Sequence, residues 1–305
     1  LEVPAPAVSA AGRGRNRAAV WLLGARPRTL VASIVPVVVG TAAAEHPDPR
    51  FAGAALVVAV ALQVGVNYAN DYADGMRGVD TAARVGPVRL TASGLASPRA
   101  VRRAALVALG VGAAVGAALS LATDPRLMII GVAAVAAALL YAGGPRPYGA
   151  LGLGEAAVFI FFGLVATLGT AYVQGLQVPV TAWWAAVPIG LLAVGIMLVN
   201  NLRDLPTDRE AGKRTLAVRL GERRTRILYG AAVGIALTTP VAGVAAGALP
   251  PSALLSLVAT PIAIGALVRV SRARGRDLLP LLTMSAALEL VFGLLLAMGL
   301  VAARL

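Results

Sequence analysis

The chain contains no cysteine and only one histidine, His46. Without thiols it cannot carry disulfides, thiolate metal sites, iron–sulfur clusters, cysteine nucleophiles or S-linked lipid anchors. One imidazole cannot build a histidine-based metal centre by itself. Charge is scarce as well: 13% of the 305 residues are charged, against about 25% in soluble domains. Acids are the rarest class, with 14 Asp and Glu facing 27 Lys and Arg, for a formal net charge of +13. Lys213 is the only lysine. No stretch sustains the period-2 alternation of an outer-membrane barrel.

Apolar length is abundant. The composition is 58% hydrophobic and the mean hydropathy is +0.81. Nine apolar runs, near 29–45, 52–71, 101–122, 126–142, 155–174, 182–202, 225–247, 251–270 and 280–302, approach the roughly 20 residues that cross a bilayer as a helix. Backbone polar groups in lipid must be satisfied within the segment, so these runs predict helices. The expected fold is all-α, a polytopic membrane bundle of nine transmembrane helices over 29–305. Residues 1–28 are polar and Pro/Ala/Arg-rich, without the apolar core of a signal peptide, and are predicted to be a disordered cytoplasmic tail.

The basic residues then acquire a direction. With nine spans and the N-terminus inside, 24 of the 27 fall on the cytoplasmic side, leaving Arg50, Arg126 and Arg304 outside. This is a positive-inside pattern of a cell-membrane protein with its C-terminus exterior, and it needs no nucleic-acid partner. Trp183 and Trp184 are expected to anchor the exterior interface, where His46 is also expected to lie.

Six of the 14 acids, Asp71, Asp74, Asp80, Asp204, Asp208 and Glu210, gather at the ends of the second and sixth runs. Both ends carry Asn-x-x-x-Asp, as Asn70/Asp74 and Asn200/Asp204, 130 residues apart and on the same face. Spacing of four places each pair on one side of a helix. Pro206 predicts a helix break, with Asp208 reaching the site from a new turn. Carboxylate and amide oxygens suit a hard cation such as Mg²⁺, which commonly takes one or two carboxylates plus substrate phosphate oxygens. Two facing clusters would suit a diphosphate. The adjacent Arg77, Arg84, Lys213 and Arg214 supply positive charge for that anion. Positive-inside loops explain any one arginine, but not the recurrence of Asn and Asp at matched spacing.

These residues resemble the UbiA superfamily of intramembrane aromatic prenyltransferases, a nine-helix bundle with cytoplasmic loop helices. The resemblance runs from Ala25-Arg-Pro-Arg-Thr-Leu30 to the last span. Within the superfamily, three stretches are similar to the MenA-type branch: Asp71 to Thr81, Arg84 to Gly94, and Asn200 to Gly221. The segment after the fourth span, Tyr141 to Tyr148 followed by Gly152-Leu-Gly-Glu155, lacks the lysine of the hydroxybenzoate branch. The resemblance implies transfer of a polyprenyl group from polyprenyl diphosphate to 1,4-dihydroxy-2-naphthoate, with loss of CO₂ and pyrophosphate, in menaquinone biosynthesis. It further implies two Mg²⁺ ions held by Asn70, Asp74, Asp204 and Asp208. Arg77, Lys213 and Arg214 would draw off pyrophosphate, and Asp71 or Asp80 would serve as base. Arg28, Arg84, Tyr141, Arg146 and Asn200 would bind substrate. A sibling acting on 4-hydroxybenzoate or a sugar phosphate is the alternative; a cation-coupled transporter fits less well, because transporter sites lie nearer the bilayer midplane. Glu289, inside the last span, is expected to have a pairing or functional role. Glu155 is expected to favour a helix start and to need no catalytic role.

Overall fold

A computed structural model describes residues 16–78, 86, 88–144 and 146–304. Asp80 and Arg84, and the tail before residue 16, lie outside the described residues. The fold is helical, with no strand among the described residues. Helix α1 spans Arg17–Ala25, α2 Val31–Ala43, α3 Pro49–Met76, α4 Pro98–Ala122 and α5 Leu127–Ala142. They are followed by α6 (Gly154–Val158), a π-helical stretch (Phe159–Val165) and α7 (Ala166–Gly175), which together form one apolar rod. Next come α8 (Val180–Glu210), α9 (Leu216–Ala245), a 3₁₀ stretch (Pro251–Ala259) continuous with α10 (Thr260–Arg272), and α11 (Leu278–Ala302).

Seven of these rods are long and apolar enough to cross a membrane. The other two predicted spans take different forms. The first belongs to a helix pair, Arg17–Thr29 and α2, bent by 56° at their junction, and Arg26 within the first member adopts a left-handed φ of 55°. The fourth is α5, with 16 residues, about 24 Å of helix. Part of the predicted tail is itself helical: Asn16 caps α1, and Val20 and Trp21 pack against Tyr68 of α3 and Leu90. Those apolar contacts give residues 17–25 a reason to order that composition does not register.

Two helices project the site. α3 and α8 have 28 and 31 residues, roughly 42 and 46 Å, well beyond a hydrocarbon core of about 30 Å. Asp48 caps α3 by accepting from the Arg50 backbone N–H at 2.8 Å, with Pro49 at the first helical position. α8 does not break at Pro206, contrary to the sequence expectation, and continues to Glu210. Proline removes one backbone donor, while burial of Arg203, Leu205 and Asp208 on either side holds the last turns in place. Asn200, Asp204 and Asp208 therefore share one helical face. α8 is the core of the bundle, packed on α2, α9, α11 and the π-helical stretch. At the last of these contacts a Cβ on Gly163 would lie 2.5 Å from Cα of Gly190, so two backbones meet where no side chain fits.

Candidate active site

The C-terminal end of α3 is tied to the loop that follows it. Both carboxylate oxygens of Asp71 accept backbone N–H groups, from Leu90 at 2.8 Å and Thr91 at 2.9 Å. Leu90 is fully buried among Val20, Tyr68 and Val101. Gly75 lets the loop close, since a Cβ there would lie 2.5 Å from Cγ2 of Thr91. The returning loop brings Arg89 to Asp74, with Nη2 3.6 Å from Oδ2.

The second acidic motif arrives from α8. After α8 the chain turns so that the Lys213 N–H donates to the Asp208 carbonyl at 2.9 Å and the Arg214 N–H to Ala150 at 2.8 Å. The Lys213 ammonium then lies 3.0 Å from Oδ1 of Asp74 and 3.6 Å from Oδ1 of Asp208. One cation thus joins the two motifs. Arg203 forks onto Asp204 through Nε at 2.8 Å and Nη2 at 2.7 Å, and its Nη1 is buried without a hydrogen-bond partner among the described residues.

Beneath this polar head lies a cavity of about 790 Å³. Asn70, Arg89, Asn200, Arg203 and Asp204 line it near the head, whereas Asp124, Arg126, Tyr172 and Trp183 line it at the far end. Along α8, Trp183 and Asp204 are about 30 Å apart, so the cavity reaches through most of the bundle. Its middle is walled by small and apolar residues such as Val58, Leu62, Ala134 and Leu168. At the far end Asp124 accepts from Arg126 Nε and from the Tyr172 hydroxyl, the latter at 2.7 Å. The Arg126 guanidinium first, and the Tyr172 hydroxyl next, hold the Asp124 carboxyl well below the usual range.

The structure thus brings Asp74, Asp208 and Lys213 into contact, and sets Asn70, Asn200, Asp204 and Tyr141 around the same cavity. Tyr141 packs edge-to-face on Tyr148, with centroids 5.5 Å apart, and burial pushes the Tyr148 phenol up to about 12. Arg28, Arg146 and Arg214 are exposed and stand outside the cavity wall. Arg77 is exposed and donates to the Gly144 carbonyl at 3.0 Å. Four residues of the head were missed in the sequence. Arg26, Asn67, Arg89 and Arg203 all line the cavity, and Asn67 donates to the Ala25 carbonyl at 2.9 Å. Adjacency to Asp204 was an available signal for Arg203. Nothing local marked Arg89.

No three Asp, Glu or His side chains converge as a ready-made metal cage among the described residues. The donor chemistry nevertheless fits a hard cation: oxygen donors from two helix ends already converge on one cationic group, the Lys213 ammonium. A metal at this head would complete its shell with oxygens from a substrate.

Residues 33–286 match the UbiA prenyltransferase family. The chain belongs to that family. It is 48% identical over 284 residues to the 1,4-dihydroxy-2-naphthoate octaprenyltransferase of Mycobacterium tuberculosis, covering 92% of this chain and 96% of the relative. Among solved structures, an apo UbiA homolog from Aeropyrum pernix superposes with a TM-score of 0.68 at 19% identity, covering 90% of this chain and 98% of that one. A UbiA homolog from Archaeoglobus fulgidus bound to DMAPP and Mg²⁺ superposes with a TM-score of 0.64 at 16% identity, with the same coverages.

Proposed function

We propose that this UbiA-family chain transfers a polyprenyl group from polyprenyl diphosphate to 1,4-dihydroxy-2-naphthoate, releasing CO₂ and pyrophosphate and forming demethylmenaquinol for menaquinone biosynthesis. The observation that carries the reading is the joining of two acidic motifs by Lys213 at the head of a long apolar cavity. Such a site accepts a diphosphate at one end and a hydrocarbon tail along the rest. The 48% identity to a dihydroxynaphthoate octaprenyltransferase supports the choice of acceptor.

Asn70, Asp74, Asp204 and Asp208 would hold two Mg²⁺ ions, which supply Lewis-acid neutralisation of the diphosphate when bound. Lys213, Arg89 and Arg203 surround the same anion and stabilise charge on the departing pyrophosphate. The apolar walls keep water from the allylic cation left behind. The dihydroxynaphthoate carbon bearing the carboxylate attacks that cation, and the carboxylate leaves as CO₂. With both oxygens of Asp71 committed to Leu90 and Thr91, its role is to hold the loop that presents Arg89, and not to act as base.

The bundle crosses the membrane nine times, counting the bent α1–α2 unit and α5. The N-terminus and polar head are cytoplasmic and the C-terminus is exterior; the distribution of 24 of 27 basic residues supports that orientation.

The test is acceptor turnover. Membranes containing the full chain, given Mg²⁺ and a polyprenyl diphosphate, will prenylate dihydroxynaphthoate and release CO₂. Turnover of 4-hydroxybenzoate in place of the naphthoate would overturn the acceptor assignment.

A further inference from the structure

One polar pair ties the cavity wall to α6. Asn201 of α8 donates through Nδ2 to Oε1 of Glu155, in the first turn of α6, at 2.7 Å. Both side chains are more than nine-tenths buried, at 9% and 5% exposure. Asn201 lines the cavity, as do Tyr141, Tyr148, Gly154 and Met197. Asn201 lies three residues before Asp204 on α8, which places the pair close to the polar head.

A purely structural role explains this pair poorly. Burying a carboxylate is costly unless its lone pairs are satisfied. Oε2 of Glu155 has no hydrogen-bond partner among the described residues. The pair does, however, impose a direction. A carboxylate only accepts hydrogen bonds, so Asn201 must turn its NH₂ toward Glu155. Its carbonyl Oδ1 is then turned away from Glu155, and Asn201 itself lines the cavity. An oxygen held in that way selects a donor. A diphosphate ester and a carboxylate present only acceptors, whereas a phenolic hydroxyl is a donor. The surroundings suit a flat ring: Tyr141 and Tyr148 meet edge-to-face at 5.5 Å, and the Tyr141 hydroxyl lies 3.8 Å from Sδ of Met197.

We propose that Asn201 is the residue that determines specificity for the aromatic acceptor, its Oδ1 accepting a hydrogen bond from a ring hydroxyl seated beside Tyr141 and Tyr148, with Glu155 as its positioning residue. The proposal rests on the reading that the acceptor is a hydroxylated aromatic acid. It makes the hydroxyl a requirement for binding, because an acceptor lacking it leaves the fixed amide oxygen unpaired in a buried site.

The test uses the full chain in membranes with Mg²⁺ and geranyl diphosphate. Glu155→Gln puts a group that both donates and accepts beside Asn201 and lets the Asn201 amide reverse. The KM for dihydroxynaphthoate is expected to rise about tenfold, while the KM for geranyl diphosphate stays within about twofold. As competitive inhibitors, 1-hydroxy-2-naphthoate or 4-hydroxy-2-naphthoate should lose affinity in the variant, and 2-naphthoate should not. An unchanged acceptor KM, or equal losses for both substrates, in Glu155→Gln would make the contact structural only and overturn the proposal. Wild-type protein that prenylates 4-hydroxybenzoate and not the naphthoate overturns the acceptor assignment instead; the same comparison, hydroxybenzoate against benzoate, then decides the role of Asn201.

Discussion

The Lys213 ammonium lies 3.0 Å from Oδ1 of Asp74, joining the loop after α8 to the end of α3 across 139 residues of sequence. Lys213 also approaches Asp208, so both acidic motifs are held at one point by the only lysine in the chain. In the proposed reaction this ammonium would stabilise charge on the leaving pyrophosphate. Lys213→Met is expected to lower kcat/KM for polyprenyl diphosphate on the order of 10²-fold, with Lys213→Arg recovering part of the loss. Steady-state kinetics with a fixed acceptor check both, and full activity in Lys213→Met would remove the lysine from the chemistry.

Asp74 and Asp208 supply anionic oxygens from separate helices. Asp74→Asn or Asp208→Asn should raise the Mg²⁺ concentration needed for half-maximal rate by about tenfold or more, since each removes a charged ligand where a divalent cation has only one or two. A magnesium titration of each variant at saturating prenyl diphosphate decides it. An unchanged midpoint in both would exclude them as ligands.

Asp71 behaves differently. Its two backbone hydrogen bonds hold the loop bearing Leu90 and Arg89, so Asp71→Ala should destabilise the folded protein by about 3 kcal/mol, the order expected for two bonds to a charged group. Asp71→Asn, which retains one acceptor oxygen, should fall between the two. Thermal unfolding in detergent gives the ranking. A variant with wild-type stability but no activity would instead place Asp71 in catalysis.

Gly131 lies on α5 toward the far end of the cavity, and a Cβ there would meet nothing within 4 Å. Gly131→Phe should therefore fill the distal cavity and leave the head intact. Turnover of geranyl diphosphate is expected to stay within about twofold, while that of an octaprenyl diphosphate drops by at least about tenfold, the cost of a displaced or strained apolar chain. Equal effects on the two donors would show that the tail does not run along this wall.

At the contact of the π-helical stretch with α8, Gly163→Val would force apart the backbones of Gly163 and Gly190. A loss of stability of about 1–3 kcal/mol is expected from overpacking, read as a lower midpoint in thermal unfolding. Gly169→Val is the control, because a Cβ there meets nothing within 4 Å.

What the sequence determined by itself is what depends on local periodicity and composition. Apolar runs located the helices, because backbone groups in lipid must be satisfied within each segment. The four-residue spacing of Asn70/Asp74 and Asn200/Asp204 placed each pair on one helical face, because that spacing is a property of any α-helix. Pro206 misled at the same level: a proline weakens a helix by one hydrogen bond, and tertiary packing around Leu205 and Asp208 outweighed it. Only the tertiary structure could decide which groups face one another. Lys213 reaches Asp74 across 139 residues and Asn201 donates to Glu155 across 46, while Arg89 comes back to Asp74 on the loop after α3, none of it by a local rule. Asp71, three residues from Asp74, was expected as a candidate base, but its oxygens meet the returning backbone of Leu90 and Thr91. Residue type sets what a carboxylate can do; the group folded against it sets what it does.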